Sequence, residues 1–373
     1  MCRANPCRSF GPEAGGGMSV AMKTSLEQLL RQVVDRGATD LHLTAGLAPY
    51  IRLDDRLLSL EQPPLSGGEI REIAYALLAQ EKIERFERWK ELDFAFSIEG
   101  LARFRANYFI QQGSVGVAIR MLPFRIYGFA DLGLPVPIIT DLCNKPKGLV
   151  LVTGATGSGK TTTLAAMIDY LNATKEHHII TIEDPIEYIH ASKKSIVDQR
   201  EVGADTQSFA QALKHVLRQD PDIILIGEMR DLETIETALT VAETGHLVFA
   251  TLHTSDAAQT VNRIVDVFPA HQQNQVRIQL SMELLGVLSQ QLVPKGAGKG
   301  RVLAAEVLIA NHAVRSLIRE QKVHQIYSVI QTGQKEGMRT MNQALYELYV
   351  NRVITLDEAL ARSSDPDDLM RLT

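Results

Sequence analysis

Apolar positions in the first third of the chain follow two different periods. Leu26, Leu29, Leu30, Val33 and Val34 recur at helical spacing, which predicts a helix starting at Ser25 and stopping at Gly37. The period then drops to two in Asp40-Leu41-His42-Leu43-Thr44 and Tyr50-Ile51-Arg52-Leu53, both predicted strands, with Asp54-Asp55 as a turn between strands. A second helix is expected across Gly68 to Arg88. Leu92 to Ser97, Leu101 to Ile110 and Ser114 to Met121 predict three antiparallel strands, with Arg103 and Arg105 on one face of the middle one. Elements in this order make an α+β domain.

Beyond Gly148 the pattern changes. Leu149 to Val152, Ile179 to Ile182, Ile223 to Ile226 and Leu247 to Ala250 are apolar without interruption, and helical stretches separate them. Strands buried on both faces read this way, so the expectation is an α/β domain whose mainly parallel sheet is covered on both sides. In such a sheet a ligand binds outside the carboxyl ends of the strands. Past Gly300 a strand, Val302 to Leu308, and several helices are expected, and the chain closes with Asp365-Pro366-Asp367-Asp368 and a short tail.

The stretch before the parallel sheet holds Pro123, Pro135, Pro137 and Pro146 and is expected to be a linker with local structure. Met1 to Gly17 is aperiodic and rich in Gly, Pro and Arg, which predicts a disordered tail, or upstream sequence if translation starts at Met18 or Met22. The expected organisation is therefore a tail over 1–22, a first domain over 23–121, a linker over 122–147 and a second domain over 148–373.

Composition narrows the function classes. The 373 residues accommodate two such domains, and 45% hydrophobic with 22% charged residues is the balance of a globular protein. A formal net charge of -5 argues against general nucleic-acid binding. Cys2, Cys7 and Cys143 supply neither a disulfide framework nor a structural zinc site, which suits a reducing cytoplasm, with Cys143 as a small buried hydrophobe. No apolar run approaches membrane-spanning length and no secretion signal is visible, so membrane contact is expected through partners and not by insertion.

The chemistry gathers after the first apolar strand. Gly154-Ala155-Thr156-Gly157-Ser158-Gly159-Lys160-Thr161, continued by Thr162, is a complete phosphate-binding loop set between a strand and a helix. Its glycines let backbone N–H groups turn inward on phosphates, the helix adds its positive end, and Lys160 reaches the β- and γ-phosphates. ATP and Mg²⁺ are the expected ligands, with the Thr161 hydroxyl on the metal.

Carboxylates and histidines follow at the ends of later strands. Glu183-Asp184-Pro185-Ile186-Glu187 places acids where they could hold Mg²⁺ or orient water. Asp222 to Glu228 ends with Gly227 where a metal-binding aspartate usually stands, which leaves Glu228 to orient or deprotonate the attacking water. His253, at the nucleotide end of its strand, is a candidate γ-phosphate sensor, and His246, at the other end, a candidate contact to a neighbouring subunit. Arg103 and Arg105, or Arg218 and Arg230 beside the third strand, could bring positive charge to the γ-phosphate.

Taken in order, these motifs resemble those of the secretion-type hexameric ATPases, and among them the PilT-type retraction motors of type IV pili. Thr153 to Thr163 looks like that family's Walker A loop, Thr181 to Tyr188 like its Asp box, Asp220 to Asp231 like its Walker B strand and His246 to Thr254 like its His box. The resemblance implies a PAS-like first domain, a RecA-like second domain and a homohexamer. It also implies Glu228 as the catalytic glutamate, Glu183 as support for metal and water, and Arg103 and Arg105 as groups that reach the phosphates when the domains close. Ala313 to Glu320 is similar to a segment, A-I-R-N-L-I-R-E, associated with retraction, which would give Arg315, Leu317, Ile318, Arg319 and Glu320 a coupling role; Val314 and Ser316 depart from it. By its periodicity alone the segment is an amphipathic helix, with Val314, Leu317 and Ile318 inward and Arg315 and Arg319 in solvent.

The resemblance implies a cytoplasmic ATPase at the inner-membrane base of a pilus machine. It would drive pilus retraction and twitching motility through an inner-membrane platform protein, with the pilus as an indirect partner and a paralogous retraction ATPase as a further one. The alternatives are an extension, secretion or DNA-transfer motor of the same class, or an ATP-binding scaffold that regulates a partner motor without turnover. With Cys143 the only cysteine after the tail, the chain cannot build the four-cysteine zinc site of extension motors. Intact Lys160, Glu183, Glu228 and His253 weigh against a scaffold.

Overall fold

The computed structural model describes residues 25–53, 56–122, 125–297 and 300–372. The expected tail over 1–22, the Asp54-Asp55 turn and Pro123 lie outside the described residues. Contacts divide the chain into two compact units, Met1–Asp93 with Ser97–Met121, and Phe94–Phe96 with Leu122–Thr373. No helix among the described residues is long and apolar enough to cross a membrane.

The first unit opens with α1 (Leu26–Asp35), which Ser25 and Gln28 start by a reciprocal capping box and which buries Leu26, Leu29, Leu30 and Val33. The strands β1 (Asp40–Leu43), β2 (Tyr50–Leu53) and β3 (Arg56–Ser59) follow, then α2 (Gly67–Tyr75) and α3 (Gln80–Trp89), then β4 (Glu91–Ile98), β5 (Ala102–Gln111) and β6 (Ser114–Leu122). They form a sheet in the order β3-β2-β1-β6-β5-β4, with β1 antiparallel to both β2 and β6. The strand implied beyond Asp54-Asp55 is β3, whose four residues are all exposed.

Two helices replace the single one expected over 68–88. A continuous helix would set Phe86 about 160° around the axis from Ile70. Both are buried, so the chain breaks after Tyr75, restarts from an extended Ala79, and ends at Lys90 in the left-handed region with φ 64.

In the second unit α4 (Val136–Cys143) leads into β7 (Gly148–Thr153), α5 (Lys160–Thr174), β8 (His178–Glu183), β9 (Ile196–Glu201), α6 (Phe209–Val216), β10 (Ile223–Ile226), α7 (Leu232–Glu243) and β11 (Leu247–Leu252). Next come α8 (Ala257–Asp266), α9 (Ala270–Glu283), β12 (Leu284–Pro294) and β13 (Arg301–Ile309). The chain closes with α10 (His312–Arg319), α11 (Ile326–Thr332), α12 (Met341–Val350), α13 (Leu356–Arg362) and α14 (Pro366–Leu372). The sheet order is β13-β12-β7-β11-β10-β8-β9, all neighbours parallel except the β12 and β13 pair.

The apolar runs divide residue by residue between two cores. Leu149, Leu151, Ile180, Ile182, Ile224, Ile226, Val248 and Ala250 pack on one side, and Val150, Val152, Ile179, Ile223, Leu225, Leu247 and Phe249 on the other. Burial on both faces removes any alternation of polar with apolar residues.

Three expectations need correction. The stretch read as a linker over 122–147 contains α4, whose Ile139, Leu142 and Cys143 lie in the second unit's core with Phe129 and Leu134. Its prolines are compatible with a helix because Pro135 is the cap and Pro137 falls in the first turn, where no intrahelical N–H bond is needed. The closing tail is α14, with Leu369 fully buried and Asp368 accepting from Tyr327 and Asn342.

The third concerns Arg315, which is not in solvent. Its Nε donates to the Ala310 carbonyl at 2.8 Å, Nη1 to Ser281 at 2.7 Å and also to Met282, and Nη2 to Leu284 at 3.1 Å. The guanidinium thus satisfies the last carbonyls of α9, where the chain passes into β12 without a glycine. Val314 and Ile318 are buried as expected, and Arg319 is exposed with Nη1 3.4 Å from Ser281 Oγ.

Candidate nucleotide site

Strand register brings the candidate residues to one edge. Leu252 pairs with Thr153, and Ile226 with both Ala250 and Ile182, so the segments beginning at Gly154, Glu183, Gly227 and His253 leave the sheet side by side. Backbone and hydroxyl bonds fix them, Gly227 N donating to Ile182 O at 2.8 Å and Thr251 Oγ1 to Gly227 O at 2.6 Å.

The loop depends on its glycines. Gly154 has φ 139, and a Cβ there would lie 2.4 Å from the Gln290 carbonyl oxygen; Gly159, at φ 93, caps α5. Lys160 is 9% exposed, and its Nζ donates to the carbonyls of Gly154 at 2.8 Å and Ala155 at 3.1 Å and lies 3.4 Å from His253 Nδ1. Burial holds its pKa below the usual lysine value against the opposing charges of Glu228 and Glu187. Ser158 Oγ is buried with no partner among the described residues. An orphaned hydroxyl, a buried ammonium and a helix N-terminus on one loop fit phosphate oxygens.

His253 connects the loop to Glu228. Its Nε2 lies 3.0 Å from Glu228 Oε1. A carboxylate only accepts and an ammonium only donates, so Nε2 carries the proton it gives to Glu228 while Nδ1 accepts from Lys160. Arg230 meets the same carboxylate with Nε 2.6 Å from Oε1 and Nη2 2.7 Å from Oε2. Burial works to raise the Glu228 pKa, but Arg230 and His253 together outweigh it and leave it below the usual carboxylate range.

Glu183 is buried at the same edge, and its Oε1 accepts from Thr181 Oγ1 at 2.7 Å and Gln199 Nε2 at 3.2 Å. Burial pushes its carboxyl up to about 7. A cation beside it would restore its charge. A side chain at Gly227 would press within 3.2 Å of Glu183 Cα and Ile182 O, which suits a glycine where a metal-binding aspartate usually stands. No group of three or more His, Cys, Asp and Glu side chains that could hold a metal occurs among the described residues. Mg²⁺ would therefore depend on Thr161, Glu183 and the phosphates together.

Some supports have no signal in the sequence. Gln290 Nε2 donates to Thr163 Oγ1 at 2.8 Å, and Thr153 Oγ1 to Ser289 Oγ at 2.9 Å, both from the unexpected strand β12. Tyr188 Oη lies 3.0 Å from Thr162 Oγ1. His246 starts β11 at the opposite edge, its Nδ1 3.0 Å from the Val241 carbonyl. Arg103 and Arg105 alternate with buried Ala102, Phe104 and Ala106 on β5 of the first unit.

This constellation on a mostly parallel sheet defines a P-loop nucleotide-binding protein of the RecA-like α/β class. The chain belongs to the type II/IV secretion system protein family, whose profile matches residues 18–361. It is 49% identical over 343 residues to the type IV pilus retractation ATPase PilT of Pseudomonas aeruginosa, covering 92% of this chain and 99% of that relative. It is 47% identical over 325 residues to a twitching motility protein of Neisseria gonorrhoeae, covering 87% of each. A crystal structure of the pilus retraction motor PilT with bound ADP is similar with a TM-score of 0.88 at 52% identity, covering 93% of this chain and 99% of that one.

Proposed function

We propose that the chain is a Mg²⁺-dependent ATPase that powers retraction of type IV pili. The observation that carries the chemistry is the Lys160, His253 and Glu228 chain of contacts at the carboxyl edge of the sheet. Similarity to retraction ATPases over nine-tenths of the chain supports the biological role.

The loop N–H groups, Ser158 and Lys160 bind the phosphates, and Thr161 with Glu183 would hold the metal. Bound Mg²⁺ would neutralise charge on the β- and γ-phosphates. Glu228 orients the attacking water and takes its proton, while His253 fixes that carboxylate relative to the loop. Arg103 and Arg105 from the first domain bring charge to the γ-phosphate on domain closure.

Six copies form a ring in the cytoplasm at the inner-membrane base of the pilus. Closure passed round the ring pulls or turns the platform protein, with Arg319 and Glu320 of α10 in the coupling surface and His246 at a subunit contact. Purified Glu228→Gln is expected to bind a fluorescent ADP analogue normally and to release phosphate about 10²-fold or more slowly. Unchanged turnover in that variant would overturn the assignment.

A further inference from the structure

Glu228 is gripped by a side chain only two positions further along. Arg230 contacts both carboxylate oxygens, through Nε to Oε1 and Nη2 to Oε2, and His253 Nε2 takes a second place on Oε1. Each carboxylate oxygen offers two acceptor positions. Oε1 is therefore filled and Oε2 half filled, so a water to be oriented and deprotonated has one acceptor position, on the oxygen that Arg230 Nη2 also holds.

We propose that Arg230 is a positioning residue that latches Glu228, and that hydrolysis is slowed until the guanidinium swings off the carboxylate. The inference rests on the reading of Glu228 as the base. Exposure is unequal across the pair, 75% for the Arg230 side chain and 18% for that of Glu228. The arginine reaches its partner from the solvent side, and the glutamate is largely buried at the sheet edge.

A second carboxylate, Asp184, also attracts Arg230 and offers it another partner. The groups facing Glu228 are the Arg230 guanidinium, the His253 ring and the Lys160 ammonium, with Glu187 acting on Lys160 in turn. Among these, the hydrogen bond from Arg230 does most to offset burial and keep the carboxylate a weak base. Release of Arg230 thus opens acceptor positions and strengthens the base in one movement.

The test compares full-length wild type, Arg230→Gln, Arg230→Lys and Glu228→Gln by steady-state phosphate release across pH, with ADP-analogue binding to confirm folding. Arg230→Gln should raise kcat by about two- to fivefold, the factor expected for breaking a largely exposed pair. The acid limb of kcat/KM should move to higher pH while that of kcat stays in place, because only the former reports the free enzyme with the latch closed. Arg230→Lys keeps the charge without the fork and should fall between; it serves the same comparison if the Gln variant does not fold. A tenfold or larger loss of kcat in Arg230→Gln would overturn the latch and make Arg230 a phosphate ligand. Unchanged kcat and limbs would overturn it and leave a surface ion pair. Turnover retained in Glu228→Gln would remove the base assignment, and the latch with it; an inactive Glu228→Gln makes the Arg230 outcomes a judgement on the latch alone.

Discussion

Nε2 of His253 lies 3.0 Å from Oε1 of Glu228. The other ring nitrogen faces Lys160 Nζ at 3.4 Å, so one imidazole ties the phosphate loop to the end of β10. Replacing it by alanine cuts the tie between Glu228 and the loop, leaving Arg230 alone on the carboxylate, without removing any loop donor. His253→Ala should therefore lower kcat by roughly tenfold to a hundredfold and leave nucleotide affinity within about threefold. A large loss of affinity with kcat preserved, measured by analogue binding and phosphate release, would show that the ring binds phosphate instead.

Arg315 makes a structural prediction about a segment expected to serve coupling. Its donors satisfy the carbonyls of Ser281, Met282 and Leu284, which would otherwise be left at a partly buried helix end. Arg315→Ala should cost about 1–3 kcal/mol, or roughly 3–10 °C in Tm. Arg319→Ala, at an exposed position, should leave Tm within about 2 °C. Retraction lost in Arg319→Ala with phosphate release intact would assign coupling to α10, whereas loss confined to Arg315→Ala would reflect the weakened α9 end.

Glu306 sets a pH dependence of stability. It is 3% exposed, and its Oε1 accepts from the Ala257 N–H at 2.9 Å at the start of α8. Burial pushes its carboxyl up to about 7, helped by the charge of Asp256 and opposed by the bond from Ala257. The folded pKa lies above the ordinary 4.5, so the folded chain keeps a proton that the unfolded chain has already released. Stability from this group is complete below about 4.5 and is lost as pH rises toward 7 and beyond. Glu306→Gln should match wild-type unfolding free energy at pH 5 and exceed it at pH 8, by on the order of 1–3 kcal/mol. A gain at pH 5 that disappears at pH 8 would contradict the sign.

What could be read from the sequence is what contiguous residues encode. The phosphate loop is a run of eight residues whose backbone and lysine do the binding, and the four apolar runs carry their two-sided burial in their composition. β12 stayed hidden because α9 passes into it without a glycine or proline, the turn being held by Arg315 from a later helix. Gln199 was hidden on β9, a strand with no apolar run, and Gln290 as a polar residue past the apolar start of β12. α4 was missed because its prolines read as breakers when they in fact mark a helix start.

Retraction is tested most directly by replacing the chromosomal gene with the Glu228→Gln allele and counting surface pili by electron microscopy, with surface motility scored alongside. A retraction motor predicts more pili per cell and lost motility. Few or no pili would contradict retraction and assign the chain to extension, and an unchanged count with normal motility would contradict a role in pilus retraction.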